Sequence, residues 1–166
     1  RSFKKKATPK PPVRSAGNKL YVAGKNLPEE SSSDSVPKAK TLANSGNLKQ
    51  ALDMVLRLAD SENGNPEIYY LMGTIQSEVN EIKQAEENYR KALYLAPGHL
   101  LANFQMGILC FRTGRPNQGS RHHKNVLTLL QTYHDNDFVQ EADGMTAGEI
   151  RKFIQGINPA TDEKRQ

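Results

Sequence analysis

The sequence predicts an all-α superhelix of about three stacked helical hairpins, closed by one capping helix at the C-terminal end. Three features indicate this fold: a repeat period of 34 residues, small residues at fixed phases of that period, and apolar residues at helical spacing near residue 150. Helical hairpins of this kind bury their apolar faces only by stacking on one another, so the repeats are expected to form one continuous core.

The middle repeat, predicted over residues 66–99, has the most regular pattern. Its diagnostic positions hold, in order, Tyr69, Met72, Gly73, Ala85, Tyr89, Ala92 and Pro97. The small residues Gly73 and Ala85 allow the two helices to approach closely, and the large residues fill the remaining space. Pro97 ends the second helix, because a proline cannot continue it without losing a hydrogen bond. This pattern is that of the tetratricopeptide repeat.

Two weaker repeats flank the middle one. The repeat predicted over residues 100–133 keeps small residues at Gly107 and Gly119 but has drifted at other positions, with His123 in an aromatic slot. The repeat predicted over residues 35–65 keeps the apolar positions Ala51, Val55 and Leu58. Three repeats are about the minimum for independent stability.

The turn inside each hairpin recurs with the same period. It falls at Gly46-Asn47, Asn80-Glu81 and Gly114-Arg115. Asn47 and Gln50 also predict an N-cap and a capping box for the second helix of the first repeat.

After the third repeat, residues 134–145 predict an acidic loop and residues 146–157 a capping helix. Thr146 and Glu149 form a capping-box pattern. The apolar residues that follow at helical spacing are Ile150, Phe153, Ile154 and Ile157. Such a helix would cover the open apolar face of the last repeat, and residues 158–166 would form a tail.

The basic charge of the chain is concentrated at its start. The net charge is +5, but residues 1–40 carry ten Lys or Arg against three acids. Residues 1–34 therefore predict a basic, Pro- and Ser-rich linker without stable structure. Contact with nucleic acid or anionic lipid is the alternative, but the basic residues alternate with Pro and Ser rather than with aromatics, which favours a plain linker.

Several classes of function are disfavoured by the composition. The single cysteine, Cys110, excludes an internal disulfide framework and suits a reducing compartment. We expect Cys110 to be a buried, inert thiol at a packing position of its helix. No apolar run reaches about 18 residues and no signal peptide is evident, so a cytoplasmic location without membrane insertion is expected. The start without Met indicates a fragment of a longer protein.

The first helix of each repeat is expected to line a concave groove that binds a protein partner. The predicted groove residues are Lys40, Asn44, Tyr70, Thr74, Ser77, Glu78, Leu101, Phe104, Ile108, Phe111 and Arg112. An apolar wall with a charged rim suits an amphipathic helix or an extended peptide. The alternative is internal packing, with the C-terminal helix or the linker in the groove, since large exposed apolar patches are uncommon on monomers.

Two specific binding chemistries are disfavoured. Co-chaperone domains of this fold hold an acidic C-terminus with a Lys/Asn clamp, whereas the corresponding groove positions here are Val36, Tyr70, Thr74 and Leu101. His122 and His123 are adjacent on a helix, so they point about 100° apart and cannot chelate one metal ion together. We therefore expect no metal site, and we expect His123 to be packed in the core.

Two strings narrow the class of protein. RKALYLAP at residues 90–97 and DGMTAGEI at residues 143–150 resemble elements of the repeat region that follows the catalytic domain in CheR-family chemotaxis methyltransferases. Asn125 also fits the third repeat of that family. The resemblance covers roughly residues 35–155.

The resemblance implies a role in a signalling complex. The family transfers a methyl group from S-adenosylmethionine to receptor glutamates, in chemotaxis or in surface-sensing pathways that control biofilms. The catalytic residues and the cofactor site would lie in a domain that precedes residue 1, so we assign no catalytic residue and no cofactor to this chain. The repeats would bind the receptor, a coupling protein or the methyltransferase domain itself, and no nucleic acid.

A rival hypothesis is a stand-alone bacterial adaptor or scaffold in envelope assembly or secretion. It predicts a start codon and a signal sequence close to residue 1.

Overall fold

The computed structural model describes residues 32–139, 142 and 144–157. The predicted linker lies outside these residues except for 32–34, as does the predicted tail at 158–166. The helices are α1 Ser32–Asn44, α2 Leu48–Ser61, α3 Pro66–Glu78, α4 Ile82–Leu95, α5 Leu100–Arg112, α6 Pro116–Leu129 and α7 Ala147–Ile157. A short 3-10 helix, Leu130–Thr132, follows α6. The described residues contain no strand beyond one isolated bridge between Phe138 and Thr146.

The first six helices form three hairpins that stack in chain order. Within a hairpin α1 packs on α2, α3 on α4 and α5 on α6. Between hairpins, α3 contacts both α1 and α5, and the second helix of each hairpin contacts the first helix of the next. The predicted all-α superhelix is therefore confirmed.

The turn inside each hairpin has the same backbone conformation in all three repeats. Gly46, Asn80 and Gly114 have φ of 80°, 63° and 72°. The N–H groups of Asn47, Glu81 and Arg115 donate to the carbonyls of Leu42, Gln76 and Cys110 at 2.9, 2.8 and 2.8 Å. A left-handed residue followed by this bond is a common way to end a helix, and it favours Gly or Asn at the left-handed position. The predicted turns are confirmed.

The capping box predicted at Asn47 and Gln50 is wrong. Asn47 is the N-cap of α2, but its side chain accepts no hydrogen bond from the first turn. Its ψ of 53° departs from the extended conformation that a capping side chain needs. The Asn47 amide donates instead to the Ser45 hydroxyl at 3.1 Å.

The capping box at the start of α7 is confirmed. The Thr146 N–H donates to a Glu149 carboxylate oxygen at 2.8 Å. The Glu149 N–H donates to the Thr146 hydroxyl at 3.3 Å. These reciprocal bonds satisfy backbone donors that the first turn of a helix leaves unpaired.

Small residues bring the two helices of the second and third hairpins into close contact, as the sequence predicts. A Cβ added at Gly73 would lie 2.7 Å from Cδ1 of Tyr89, and one added at Gly119 would lie 2.7 Å from Cδ2 of Phe111. A Cβ at Gly107 would overlap the imidazole of His123. The aromatic ring in each pair occupies the space that the glycine leaves.

Helix α7 packs against the core and forms hydrogen bonds with the end of the third repeat. Ile150 and Ile154 are fully buried in the common core. The Arg151 guanidinium donates to the carbonyls of Leu130 and Tyr133 at 2.7 and 2.8 Å and pairs with Asp135. The Leu130 carbonyl also accepts from the Tyr133 N–H at 3.0 Å, so the arginine adds a second bond there and gives the Tyr133 carbonyl a partner. Helix α7 thus closes the stack as a capping helix.

Candidate functional site

The predicted apolar wall of the groove is largely internal. Tyr70, Leu101 and Phe104 are only 6%, 5% and 6% exposed. Ile108 and Phe111 are partly exposed. A side chain that is 5% exposed offers a partner almost no surface, so the prediction of an open aromatic wall is corrected for these three residues.

Phe104 is covered by its neighbours inside the chain. Its ring stacks on His123 with 5.8 Å between centroids, and it meets Phe153 of α7 at 5.3 Å with an interplanar angle of 58°. Phe111 lies 5.3 Å from the other side of His123. The internal-packing alternative therefore describes Phe104, and the capping helix supplies the ring that covers it.

Phe153 lies at the groove, although its sequence pattern did not predict that position. Its ring covers Phe104 and is itself 44% exposed, so Phe153 rather than Phe104 offers apolar surface there. Its helical spacing with Ile150 and Ile154 predicted a packing role. Only the position of α7 in the fold shows that one side of the ring faces outward.

The polar groove residues remain accessible. Asn44, Glu78 and Arg112 are exposed, and Lys40, Thr74 and Ser77 are partly exposed. The Arg112 guanidinium donates to the Ser77 hydroxyl at 3.2 Å and so connects the first helices of two adjacent repeats. Glu78 lies next to Ser77, so opposite charges share this part of the surface. The role of these residues in partner binding stays a prediction.

Thr74 is held by the core beneath it. Its hydroxyl donates to the carbonyl of Tyr70 at 3.0 Å, and the Tyr89 hydroxyl lies 3.4 Å from the Thr74 oxygen. Burial raises the pKa of Tyr89 to about 12, so this phenol stays neutral at physiological pH. These hydrogen bonds hold the Thr74 hydroxyl in one orientation at the groove.

His123 is a buried imidazole in the core of the third repeat. It is 1% exposed, and neither ring nitrogen has a partner among the described residues. Burial lowers the pKa of His123, so the neutral ring is the form that the fold accommodates. The expectation that His123 packs in the core is confirmed.

Replacing His123 with Phe is expected to reduce the loss of stability in acid. Because the pKa of His123 is lower in the folded state than its unfolded value of about 6.5, the unfolded chain binds the proton first. Stability is then fully present above about pH 6.5 and falls as the pH drops below it. His123→Phe removes this term, and it also removes a buried polar group that costs about 1–3 kcal/mol.

Urea unfolding followed by circular dichroism between about pH 5 and 7 measures the effect. The unsubstituted chain, measured over the same pH range, is the reference. His122, whose pKa burial also lowers, leaves part of the dependence in the variant. An unchanged acid slope in His123→Phe would contradict the assignment.

The other candidate chemistries are absent from the described residues. No group of three or more His, Cys, Asp or Glu side chains in the described ranges is placed to hold a metal ion. Cys110 is buried, as expected, and burial raises the pKa of its thiol, which disfavours the reactive thiolate. Within the part of the chain that the structure describes, no helix has the length and apolar character needed to span a membrane.

Comparison with known proteins agrees with the repeat assignment. Residues 66–99 match the tetratricopeptide-repeat family model. No curated protein matches the sequence. The MamA fragment from Desulfovibrio magneticus RS-1 is similar in structure, with a TM-score of 0.56, 20% identity, and coverage of 61% of this chain and 58% of that chain. This chain therefore spans little more than half of that MamA fragment.

Two further structures are similar over more of their length. The type III secretion translocator chaperone SycD from Yersinia enterocolitica has a TM-score of 0.65 at 9% identity, over 82% of this chain and 90% of SycD. The first tetratricopeptide domain of Spaghetti (RPAP3) has a TM-score of 0.62 at 17% identity, over 78% of this chain and 94% of that domain. At these identities the likeness concerns the fold.

The middle hairpin matches the tetratricopeptide-repeat family model, and the stack of three hairpins has the fold of tetratricopeptide domains. Helix α7 closes the stack behind the third repeat, whose pattern has drifted.

Proposed function

We propose that this chain holds a protein partner in its concave groove, on the accessible polar face of α3 and α5. The observation that carries the proposal is the Arg112–Ser77 hydrogen bond, 3.2 Å long, which joins two repeats on the exposed surface beside Glu78. Ile108 and Phe111 are partly exposed nearby and supply apolar contact. A polar rim around a small apolar centre is the usual anatomy of a protein interface.

The structural neighbours support a partner-holding role. The RPAP3 domain is bound to the HSP90 peptide SRMEEVD, and SycD is a chaperone of secretion translocators. The groove of this chain has a different chemistry, because Tyr70 and Leu101 stand where a Lys/Asn clamp would need polar groups. We therefore propose a partner that offers both charges and apolar side chains rather than an acidic C-terminus alone.

We further propose that the parent protein is a cytoplasmic CheR-type methyltransferase of receptor glutamates and that this module positions or regulates it. The support is the sequence resemblance at residues 90–97 and 143–150. The second string runs into the start of α7, although Asp143 itself lies outside the described residues. Sequencing the gene upstream tests this point: a methyltransferase domain is expected before residue 1. A signal sequence there would favour the stand-alone adaptor instead.

Site-specific photo-cross-linking tests the groove itself. A photoreactive amino acid in place of exposed Glu78 is expected to capture a partner in cells, and mass spectrometry of the adduct would identify it. The same amino acid in place of Arg57, exposed on α2 and outside the groove, is the matched control. An adduct at position 57 with none at position 78 would contradict concave binding.

A further inference from the structure

A second groove lies on the outer side of the stack, between α4 and α6. It has a volume of about 450 Å³. Helix α5 packs against both α4 and α6 and supplies Met106 to the groove. Met106 and Phe104 are two positions apart, so they point about 200° apart on a helix of 3.6 residues per turn. The outer groove is therefore separate from the concave one. The residues that line it include Arg90, Leu93, Tyr94, Met106, Arg121 and His122.

Positive charge at this groove exceeds the negative charge beside it. Both carboxylate oxygens of Glu86 are engaged by Arg115, at 2.7 and 2.6 Å, and one of them also accepts from Arg90 at 2.5 Å. The Glu86 carboxylate is thus shared by the guanidinium groups of Arg90 and Arg115. Arg121 is exposed and forms no ion pair with any residue that the structure describes. The groove therefore has the electrostatic character to attract a further carboxylate.

The same groove contains an aromatic side chain that is almost fully exposed. Tyr94 is 85% exposed, and its hydroxyl has no hydrogen-bond partner in the described part of the chain. Half-buried Leu93 provides apolar surface beside it, and Met106, only 3% exposed, lies at the bottom of the groove. Tyr and Arg are the side chains that most often dominate binding energy at protein interfaces.

The polar side of the groove is fixed by a hydrogen-bond network around buried Asn103. The Asn103 amide donates to the carbonyls of Pro97 and His99 at 3.0 and 3.1 Å, so its oxygen is free to accept. Nδ1 of His122 lies 3.2 Å from that oxygen and must be the donor. The neutral imidazole then carries its proton on Nδ1 and leaves Nε2 as an acceptor. This side of the groove is rigid before any partner arrives, which lowers the entropy cost of binding.

We propose that the outer groove binds an acidic segment of a protein partner, with a carboxylate at Arg121 and Arg90 and an apolar side chain against Tyr94 and Leu93. A nucleic acid fits less well, because phosphate backbones are bound by longer series of basic residues than the two arginines that line this groove. This site lies outside the concave groove of the proposed function, so either site can exist without the other.

The test is fluorescence anisotropy with the whole chain and a labelled synthetic peptide. The peptide has Leu-Phe at its centre and Asp or Glu at every other position, and a matched peptide has Asn or Gln instead. The acidic peptide is expected to bind at least about tenfold more tightly than its amide counterpart. Arg121→Ala and Tyr94→Ala are each expected to weaken binding about fivefold or more.

Lys124→Ala is the matched control. Lys124 has the same charge, lies on the same helix and is exposed, but it does not line the groove, so less than about a twofold change is expected. Equal losses in the Lys124 and Arg121 variants would show unspecific attraction and overturn the proposal. No binding at about 1 mM chain, or a loss caused by Arg112→Ala instead, would also overturn it. Sedimentation velocity adds a last outcome: self-association that Arg121→Ala abolishes would assign the groove to a second copy.

Discussion

Replacing Ile154 with Ala is expected to destabilise the chain by about 2–5 kcal/mol. Ile154 is 1% exposed and belongs to the same core as the repeats. The substitution removes buried methyl groups and leaves a cavity that a packed interior fills only in part. Because α7 is fastened through Arg151 to the carbonyls of Leu130 and Tyr133, the damage reaches the third repeat. Neighbouring repeats are coupled through their interfaces, so the loss should appear in global unfolding.

Urea unfolding of the whole chain, followed by circular dichroism, measures this effect as a lower transition midpoint. Phe153→Ala is the matched control on the same helix. Phe153 is the larger side chain but is 44% exposed, so its truncation should cost clearly less than that of Ile154. An unchanged midpoint in Ile154→Ala would show that α7 is an appendage rather than part of the cooperative fold.

The sequence pattern predicted the features that depend on local backbone conformation or on close steric contact. The turn residues Gly46, Asn80 and Gly114 could be predicted because the left-handed conformation restricts the choice of residue. The close contact at Gly73 could be predicted because a small residue opposite a large one leaves a recognisable spacing. The start of α7 could be predicted because Thr146 and Glu149 pair within a single turn.

The features of the candidate sites depend on tertiary placement, which spacing does not reveal. Phe104 has the sequence position of a groove residue, yet it is buried because α7 brings Phe153 onto its ring. The outer groove requires α5 to lie behind α4 and α6, and nothing in the sequence near Tyr94 indicates that arrangement. The failed cap at Asn47 has a similar cause, since its backbone angles are set by the preceding turn.

Replacing Gly107 with Ala is expected to destabilise the third repeat by about 1–3 kcal/mol. In an unobstructed helix the same change would stabilise by about 1 kcal/mol, because glycine loses the most backbone freedom on folding. At Gly107 the new methyl group would overlap the His123 ring, and its Cβ would lie 3.2 Å even from Cγ, at the base of that ring. The ring is held between Phe104 and Phe111, at 5.8 and 5.3 Å between centroids, so it cannot give way. Steric overlap therefore outweighs the gain in helix propensity.

A control and a double variant separate these two effects in the same unfolding experiment. Gly156→Ala lies in α7 with no atom within 4 Å of the added Cβ, so it should stabilise or be neutral. In a His123→Ala background the ring is gone, and Gly107→Ala should then cost nothing or stabilise. A Gly107→Ala penalty that persists without the ring would contradict the steric explanation, because the coupling energy of the pair would be zero. A penalty that disappears would show that the cost at Gly107 comes from the His123 ring, which stands where the middle repeat has Tyr89.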